Sequence, residues 1–180
     1  METGTMQDRE YAVLMAEYNA HMNERLYGLC AELPDEERKR DRGAFFKSIH
    51  GTLSHLLWGD RAWLIRLLGW SDPIGKPNDV LFEDFAALWA ERKRLDALLL
   101  EWARGLGEDA LSKPFEVSSV VYKYKRRMPL YLIAVQMFNH QTHHRGQLTT
   151  LLSQLGIDPG VTDVPWFPFA QTLVEDLGPT

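Results

Sequence analysis

Apolar residues recur every three or four positions along most of the chain, which is the spacing of helices that bury one face. A first helix is predicted from Tyr11 to Leu29, before the proline and the dense charges of ELPDEERKRDRG. A second is predicted from about Ala44 to Leu68, where GWSDPIGKPNDV interrupts the pattern with two glycines and two prolines.

The second half of the chain predicts two more helices. One apolar stripe runs from Leu81 to Leu106 with steps of about 3.5 residues, which suits packing in a bundle. The last helix is predicted from about Pro129 to Leu155, and Gly156 in LGIDPG ends it. The intervening KPFEVSSVVYKYKRRM is rich in valine and tyrosine with partial alternation, which is typical of a short β-hairpin.

Four long amphipathic helices with one small β insert predict an all-α four-helix bundle. A chain of 180 residues without an internal repeat fits a single domain, residues 1–180, with a core of its own. The segment VTDVPWFPFAQTLVEDLGPT after Gly160 is apolar and aromatic, so we expect part of it to pack on the bundle.

Composition and charge narrow the function classes. Apolar residues make up 45% and charged residues 25%, as in ordinary globular proteins. The net charge of -5 argues against a general affinity for nucleic acid or anionic membrane. The basic segment YKYKRR, residues 122–127, is interpreted as a solvated hairpin edge rather than a nucleic-acid site.

The expected location is the cytoplasm. No eighteen apolar residues run together, so no membrane-spanning helix is predicted. The first ten residues contain no apolar run of the kind that secretion signals have. Cys30 is the single cysteine, which excludes an internal disulfide, suits a reducing compartment, and is interpreted as a packing residue.

Histidine is concentrated in the last helix, where FNHQTHHRGQ holds three of the six histidines of the chain. At about 100° per residue, His140 and His144 fall within the apolar sector, whereas His143 lies on its flank. Two imidazoles four residues apart on one face can bind one metal ion. The same pair is also compatible with hydrogen-bonded core histidines, and a metal site needs at least one more ligand.

The second helix offers two candidates for that ligand, His50 and His55, which lie five residues apart and therefore on different faces. The neighbours of His55 are small (Ser48, Thr52, Gly59 and Ala62), which indicates either close helix packing or room for a metal ion and a ligand. Geometry alone leaves both histidines open. Asp60 falls within the apolar stripe, where it either pairs with Arg61 or another cation or supports a ligand of the site, and the ion pair is the favoured prediction.

Three further polar residues lie near this predicted site. Gln147 falls near the His140 side of the helical wheel, in reach of the histidines, whereas Arg145 points away and is interpreted as an interface or solvated residue. Asn19 lies on the edge of the first helix, where hydrogen bonding between helices is expected. Paired catalytic carboxylates, a phosphate-binding glycine loop and a G-x-S-x-G elbow are not found in the sequence.

Two long motifs together resemble the DinB family, the damage-inducible metal-binding bundle proteins that are unrelated to the DNA polymerase of the same name. These motifs are SIHGTLSHLLWGDRAWLIRL and FNHQTHHRGQLTTLLSQLG, with support from YNAHMNERL and GIDPGVTDVPWF. The resemblance implies an up-down-down-up bundle, commonly a homodimer. It also implies that His55, His140 and His144 bind a divalent metal ion, often zinc or nickel.

The resemblance suggests two chemistries for such a site. Some members of the family are similar to thiol S-transferases, which couple a low-molecular-weight thiol to an electrophile, and others are described as metal-dependent hydrolases. Three histidine ligands leave a coordination position open, as in catalytic zinc sites. We therefore expect a metal-dependent S-transferase, with a hydrolase or a non-catalytic metal- or ligand-binding stress protein as alternatives. The expected partners are a thiol, an electrophile and a second copy of the chain, with neither nucleic acid nor membrane.

Overall fold

Four long helices dominate the structure, a computed structural model that describes residues 8–119 and 123–175. They are α1 (Asp8–Ala31), α3 (Ile49–Leu67), α4 (Phe85–Arg104) and α5 (Leu130–Ser153). The short helices are α2 (Asp35–Lys39) and α6 (Pro168–Gln171), with single 3₁₀ turns at Ala110–Ser112 and Val164–Trp166. The predicted set of four long helices is confirmed. Within the described residues, every helix is too short or too polar to cross a membrane.

Side-chain contacts give the relative directions of α1 and its two neighbours. Glu17 pairs with Arg104 at 3.3 Å and Glu24 with Lys93 at 3.2 Å, so α4 runs antiparallel to α1. In contrast, the Tyr11 ring meets the Phe138 ring near the beginning of both α1 and α5, with 6.2 Å between centroids. Helix α5 therefore runs parallel to α1.

Helices α3 and α4 follow each other in the chain and yet run parallel. His50, in the first turn of α3, bonds to the carbonyl oxygen of Phe82 just before α4. Asp60, further along α3, pairs with Arg92, about two turns into α4. The rising residue numbers on both helices establish the direction. With α4 antiparallel to α1 and α5 parallel to α1, this gives the up-down-down-up arrangement that the family resemblance implies, and that expectation is confirmed.

The connection between α3 and α4, residues 68–84, has to return along the bundle to keep the two helices parallel, and α3 holds it in place. Ser54 Oγ donates to the Asp79 carbonyl and accepts from the Leu81 amide. His55 Nδ1 bonds to the Pro77 carbonyl at 2.8 Å, one position further along α3. The crossover is thus tied to the helix by side chains rather than by regular secondary structure.

Helix α3 begins five residues later than the periodicity predicts. The segment from Ala44 to Lys47 forms a tight turn in which the Lys47 amide donates to the Ala44 carbonyl, and Lys47 has a positive φ of 66°. Ser48 then caps the helix by accepting a hydrogen bond from the Gly51 amide. The apolar side chains in this turn continue the helical pattern of the sequence, although their backbone is not helical.

The predicted hairpin between the third and fourth long helices is confirmed. Strands β1 (Pro114–Ser119) and β2 (Tyr124–Pro129) are antiparallel, with Phe115 opposite Met128. Glu116 pairs with Lys125 and Arg127 across the strands. Of the basic segment 122–127, residue 122 lies outside the described residues.

The segment after α5 packs on the bundle, as its apolar composition predicts. Phe167 is only 2% exposed and meets the rings of Tyr18 and His21 edge to face. The Tyr18 hydroxyl donates to the Thr162 carbonyl at 2.7 Å. The C-terminal segment therefore packs against α1 at Tyr18 and His21.

Candidate metal centre

Three imidazoles converge where α3 passes α5. His55 lies on α3, and His140 and His144 lie one turn apart on α5. One nitrogen from each ring lies within 4.8 Å of the other two, and the Nε2 atoms of His55 and His140 are 3.0 Å apart. The structure thus brings together the three residues that the resemblance implies as ligands.

The two other histidines considered as candidates lie outside this cluster. His143 is exposed, with its ring beside that of His144, in agreement with its position on the flank of the helical wheel. His50 is buried, but its Nε2 bonds to the Phe82 carbonyl oxygen at 2.7 Å, on the crossover. Helical geometry left His50 and His55 open, and the packing of α3 against α5 selects His55 for the cluster.

The ring of His55 is held on two sides. Its Nδ1 donates to the Pro77 carbonyl oxygen, which leaves the lone pair on Nε2 directed at the cluster. The Phe46 ring stacks on it, with 3.8 Å between centroids and 18° between planes. A hydrogen bond to the remote ring nitrogen is the usual way in which proteins orient a metal-binding histidine.

His144 is oriented in a similar way by its own helix. Its Nδ1 donates to the side-chain oxygen of Gln147 at 2.8 Å, so the lone pair lies on Nε2. The predicted contact of Gln147 with the site is confirmed, although it reaches His144 and not His140. The Phe46 edge also approaches the His144 ring, with 5.2 Å between centroids.

Burial keeps the three imidazoles neutral. The pKa of His140 is lowered to about 3. Burial is the largest cause, and the nearby rings of His144, His55 and His143 contribute to the same shift. Burial likewise lowers the pKa of His55, against the opposing hydrogen bond to Pro77. The pKa of His144 is lowered by burial too, although its bond to Gln147 opposes the shift. Neutral imidazole is the form that binds metals.

The donor set fits a divalent ion. Two nitrogens that bind the same zinc ion at about 2.0–2.1 Å lie at most roughly 4.2 Å apart. The 3.0 Å between the Nε2 atoms of His55 and His140 satisfies this limit. Imidazole nitrogens suit zinc, nickel and related ions. The described cluster contains only histidines, so it would leave the full charge of the ion to act on a further ligand.

A buried network of charges includes Asp60, which lies on the same helix as His55. Asp60 pairs with Arg92 at 2.8 Å, and Arg92 also pairs with Asp96 at 2.9 Å. The predicted ion pair of Asp60 is therefore confirmed with Arg92 as the cation, whereas Arg61 bonds to the Pro73 carbonyl. Burial raises the pKa of Asp96, against the opposing charge of Arg92.

The interpretation of Arg145 as a solvated or interface residue is wrong. Arg145 is only 3% exposed, and its guanidinium donates to the side chain of Asn19 on α1. Asn19 and Asn23 also donate to Asp96, so Asn19 hydrogen-bonds between helices as expected. The wheel identifies the apolar face of α5, but it does not show that polar residues of α1 cover the neighbouring face.

Two contributors to the site were missed in the sequence. Phe46 comes from the turn before α3, and Pro77 contributes a backbone carbonyl from the crossover. Neither carries a periodic signal, and any residue type has a carbonyl oxygen. These contacts depend on how the two connections pack against α3, which a helical wheel does not describe.

The comparisons with known proteins agree with this fold. The DinB family model matches residues 6–177, and the chain belongs to the DinB family. Protein DinB of Bacillus subtilis (strain 168) is 25% identical over 167 residues, covering 89% of this chain and 95% of that protein. The crystal structure of a DinB-like protein from Bacillus cereus ATCC 10987 covers 78% of this chain and 90% of its own. It has a TM-score of 0.55 at 21% identity and thus shares the fold.

Proposed function

We propose that the protein binds one divalent metal ion, zinc or nickel, through the Nε2 atoms of His55, His140 and His144. The observation that carries the proposal is the convergence of these three neutral imidazoles within 4.8 Å. The orientation of two of them by outer hydrogen bonds is a second support. Because the cluster provides three nitrogens, a tetrahedral ion would keep a position for a fourth ligand.

We further propose that this position serves thiol S-transfer, in which a low-molecular-weight thiol is coupled to an electrophile. A bound divalent ion supplies the positive charge that lowers the pKa of a thiol or a water molecule. In the reaction, the sulfur forms a bond to the electrophilic carbon, the leaving group departs with the bonding electrons, and the thiol proton goes to solvent.

The surroundings of the cluster support S-transfer over hydrolysis. Metal-dependent hydrolases of the thermolysin type add a carboxylate that moves the proton of the attacking water. The described cluster has no carboxylate. Asp60, on the same helix as His55, is paired with Arg92 at 2.8 Å. A thiol needs no such base once its pKa is low.

The first test is the metal content of protein purified without a histidine tag. We expect about one divalent ion per chain for the wild type and a loss of most of it in His55→Ala. His50→Ala is the matched control, because His50 is a buried histidine of the same helix and bonds to the Phe82 carbonyl instead. Wild-type protein that is free of metal and does not take up Zn²⁺ or Ni²⁺ would refute the metal site.

The second test addresses the reaction. Metal-loaded protein is incubated with L-cysteine and monochlorobimane, and bimane fluorescence reports the thioether. We expect a rate above that of the metal-free protein and of His55→Ala. Metal binding without any acceleration, over a panel of thiols, would leave the metal site standing and remove the transferase. The homodimer implied by the resemblance stays a prediction, which light scattering of the purified protein checks.

A further inference from the structure

Gly59 of α3 lies directly against one edge of the His140 ring. A Cβ atom built on Gly59 would be 2.5 Å from Cε1 and 2.8 Å from Nδ1 of His140. Contacts of a Cβ atom below 3.0 Å essentially do not occur, so any side chain at position 59 would displace the imidazole. The backbone of α3 therefore serves as the surface on which the His140 ring rests.

The Nδ1–Cε1–Nε2 edge that rests on Gly59 also carries the nitrogen that faces the cluster. His140 Nε2 lies 3.0 Å from His55 Nε2, and it is the ring atom farthest from position 59 among the three close ones, at 3.4 Å from the built Cβ. His55 and Gly59 lie one turn apart on α3, so the His140 ring contacts this helix both at the backbone of Gly59 and at the ring of His55. A shift away from Gly59 changes the distance between the two ligating nitrogens.

The helix itself gives no reason for a glycine at this position. Gly59 lies in the interior of α3, where alanine is the better helix former. A glycine in the interior of a helix therefore calls for a packing or functional reason. At Gly59 the packing partner is the side chain of His140, and not a backbone atom of a neighbouring helix.

We propose that Gly59 is a positioning residue of the metal centre, and this inference rests on the proposed metal-binding function. By lacking a side chain, Gly59 lets His140 Nε2 reach the position where it and His55 share one ion. Moving the built Cβ contact from 2.5 Å to at least 3.0 Å requires a displacement of about 0.5 Å. Metal–ligand distances tolerate only about 0.2 Å.

The direct test is metal binding by Gly59→Ala. We expect its affinity for Zn²⁺ to fall about 10- to 100-fold, the range found for residues that orient metal ligands. The visible absorption spectrum of the Co²⁺-loaded protein should also change, since it reports the ligand geometry. Gly146→Ala is the matched control on the ligand-bearing helix α5, because a Cβ on Gly146 would have no atom within 4 Å. We expect it to bind Zn²⁺ as the wild type does.

A second test needs no metal. The change in melting temperature caused by Gly59→Ala is measured in the metal-free wild type and in metal-free His140→Ala. The clash predicts a decrease in the presence of the imidazole and no decrease, or a gain, once His140 is removed. If Gly59→Ala alone does not fold, a folded Gly59→Ala/His140→Ala protein supports the inference, and failure of both to fold overturns it.

The outcomes separate this inference from the proposed function. A wild type that binds no Zn²⁺ removes the metal centre and, with it, the role of Gly59. A wild type that binds Zn²⁺, together with a Gly59→Ala protein of equal affinity and unchanged Co²⁺ spectrum, overturns the role of Gly59 alone. An equal change in melting temperature with and without His140 also overturns it.

Discussion

Gln147 accepts a hydrogen bond from Nδ1 of His144 at 2.8 Å, one turn further along the same helix. This contact fixes the proton of the imidazole on the nitrogen that faces away from His55 and His140. The other nitrogen is then free to bind a metal. A single amide side chain thereby determines which tautomer of His144 is present at the cluster.

Replacement of Gln147 by leucine removes this acceptor while keeping the size of the side chain. We expect the affinity for Zn²⁺ to fall about 10-fold, because the ring can then rotate and exchange tautomers. Titration with a chromophoric chelator as competitor measures the effect. Gln154→Leu is the control, since Gln154 is exposed at the C-cap of the same helix, more than two turns beyond His144. Equal affinity of both variants would contradict the role of Gln147.

His144→Ala and His143→Ala form the sharpest pair of neighbouring substitutions. His144 belongs to the cluster, whereas His143 is exposed beside it. We expect His144→Ala to lower the Zn²⁺ affinity by more than about 100-fold, beyond the loss found for outer residues. His143→Ala should retain about one ion per chain in metal analysis. Similar losses in both proteins would contradict the assignment of His144, rather than His143, to the cluster.

The stability of the metal-free protein should depend on pH through the clustered histidines. The pKa of His140 is lowered to about 3 in the folded protein, against 6.5 as its ordinary value. The unfolded chain therefore binds the extra proton below about pH 6.5, and the stability from neutral His140 is lost as the pH falls from there through 3. From about pH 7.5 to 5, one such group contributes a loss of about 2 kcal/mol.

Urea denaturation at both pH values measures this loss. His140→Ala should show a smaller decrease in the free energy of unfolding between the two pH values than the wild type. The pKa values of His55 and His144 are lowered as well, so part of the dependence persists in that variant. An unchanged pH dependence in His140→Ala would contradict the lowered pKa of His140.

Arg92 is a stability determinant because it is fully buried between two carboxylates. It pairs with Asp60 and Asp96, whose charges raise its pKa although burial alone would lower it. Arg92→Met leaves both carboxylates without their cation, and we expect it to cost about 3–5 kcal/mol in urea denaturation. Arg94→Met, at an exposed ion pair of the same helix, should cost at most about 1 kcal/mol. Equal costs would argue against the buried network.

Cys30 should be unreactive in the folded protein. It is 0% exposed, and burial raises its pKa to about 12, so almost no thiolate is present at pH 8. Ellman's reagent is expected to label the protein only in concentrated urea. The variant Ser153→Cys, which places a second thiol on the exposed end of α5, should react at once in native buffer. Rapid labelling of the native wild type would contradict the packing role of Cys30.

The helices were predictable because each bundle helix buries one apolar stripe, and the spacing of that stripe is visible in the sequence. The same argument placed His140 and His144 on one side of α5 and His143 on another. It failed for Ala44 to Lys47, where an apolar pattern coincides with a tight turn that has a positive φ at Lys47. Phe45 in this turn is 80% exposed, so the apolar spacing here corresponds neither to burial nor to a helix.

The choice between His50 and His55 shows a second limit of the pattern. Both are buried, and most of the first three turns of α3 are buried on all sides, so exposure does not separate them. What separates them is the neighbour on each side, the crossover for His50 and α5 for His55. Likewise, Arg145 is buried because Asn19 of α1 accepts its hydrogen bond. Information of this kind lies in tertiary contacts, which a single helix does not encode.

The crossover between α3 and α4 limits how this scaffold can be redesigned. Since Pro77 holds the imidazole of His55 and Ser54 holds the two residues on either side of position 80, inserting or deleting residues there would shift the register of these bonds. The helices would still pair, because their own apolar stripes are untouched, but His55 would lose its fixed tautomer. Loop grafting, which is harmless at most connections between bundle helices, would here act on the proposed metal ligand without touching any histidine.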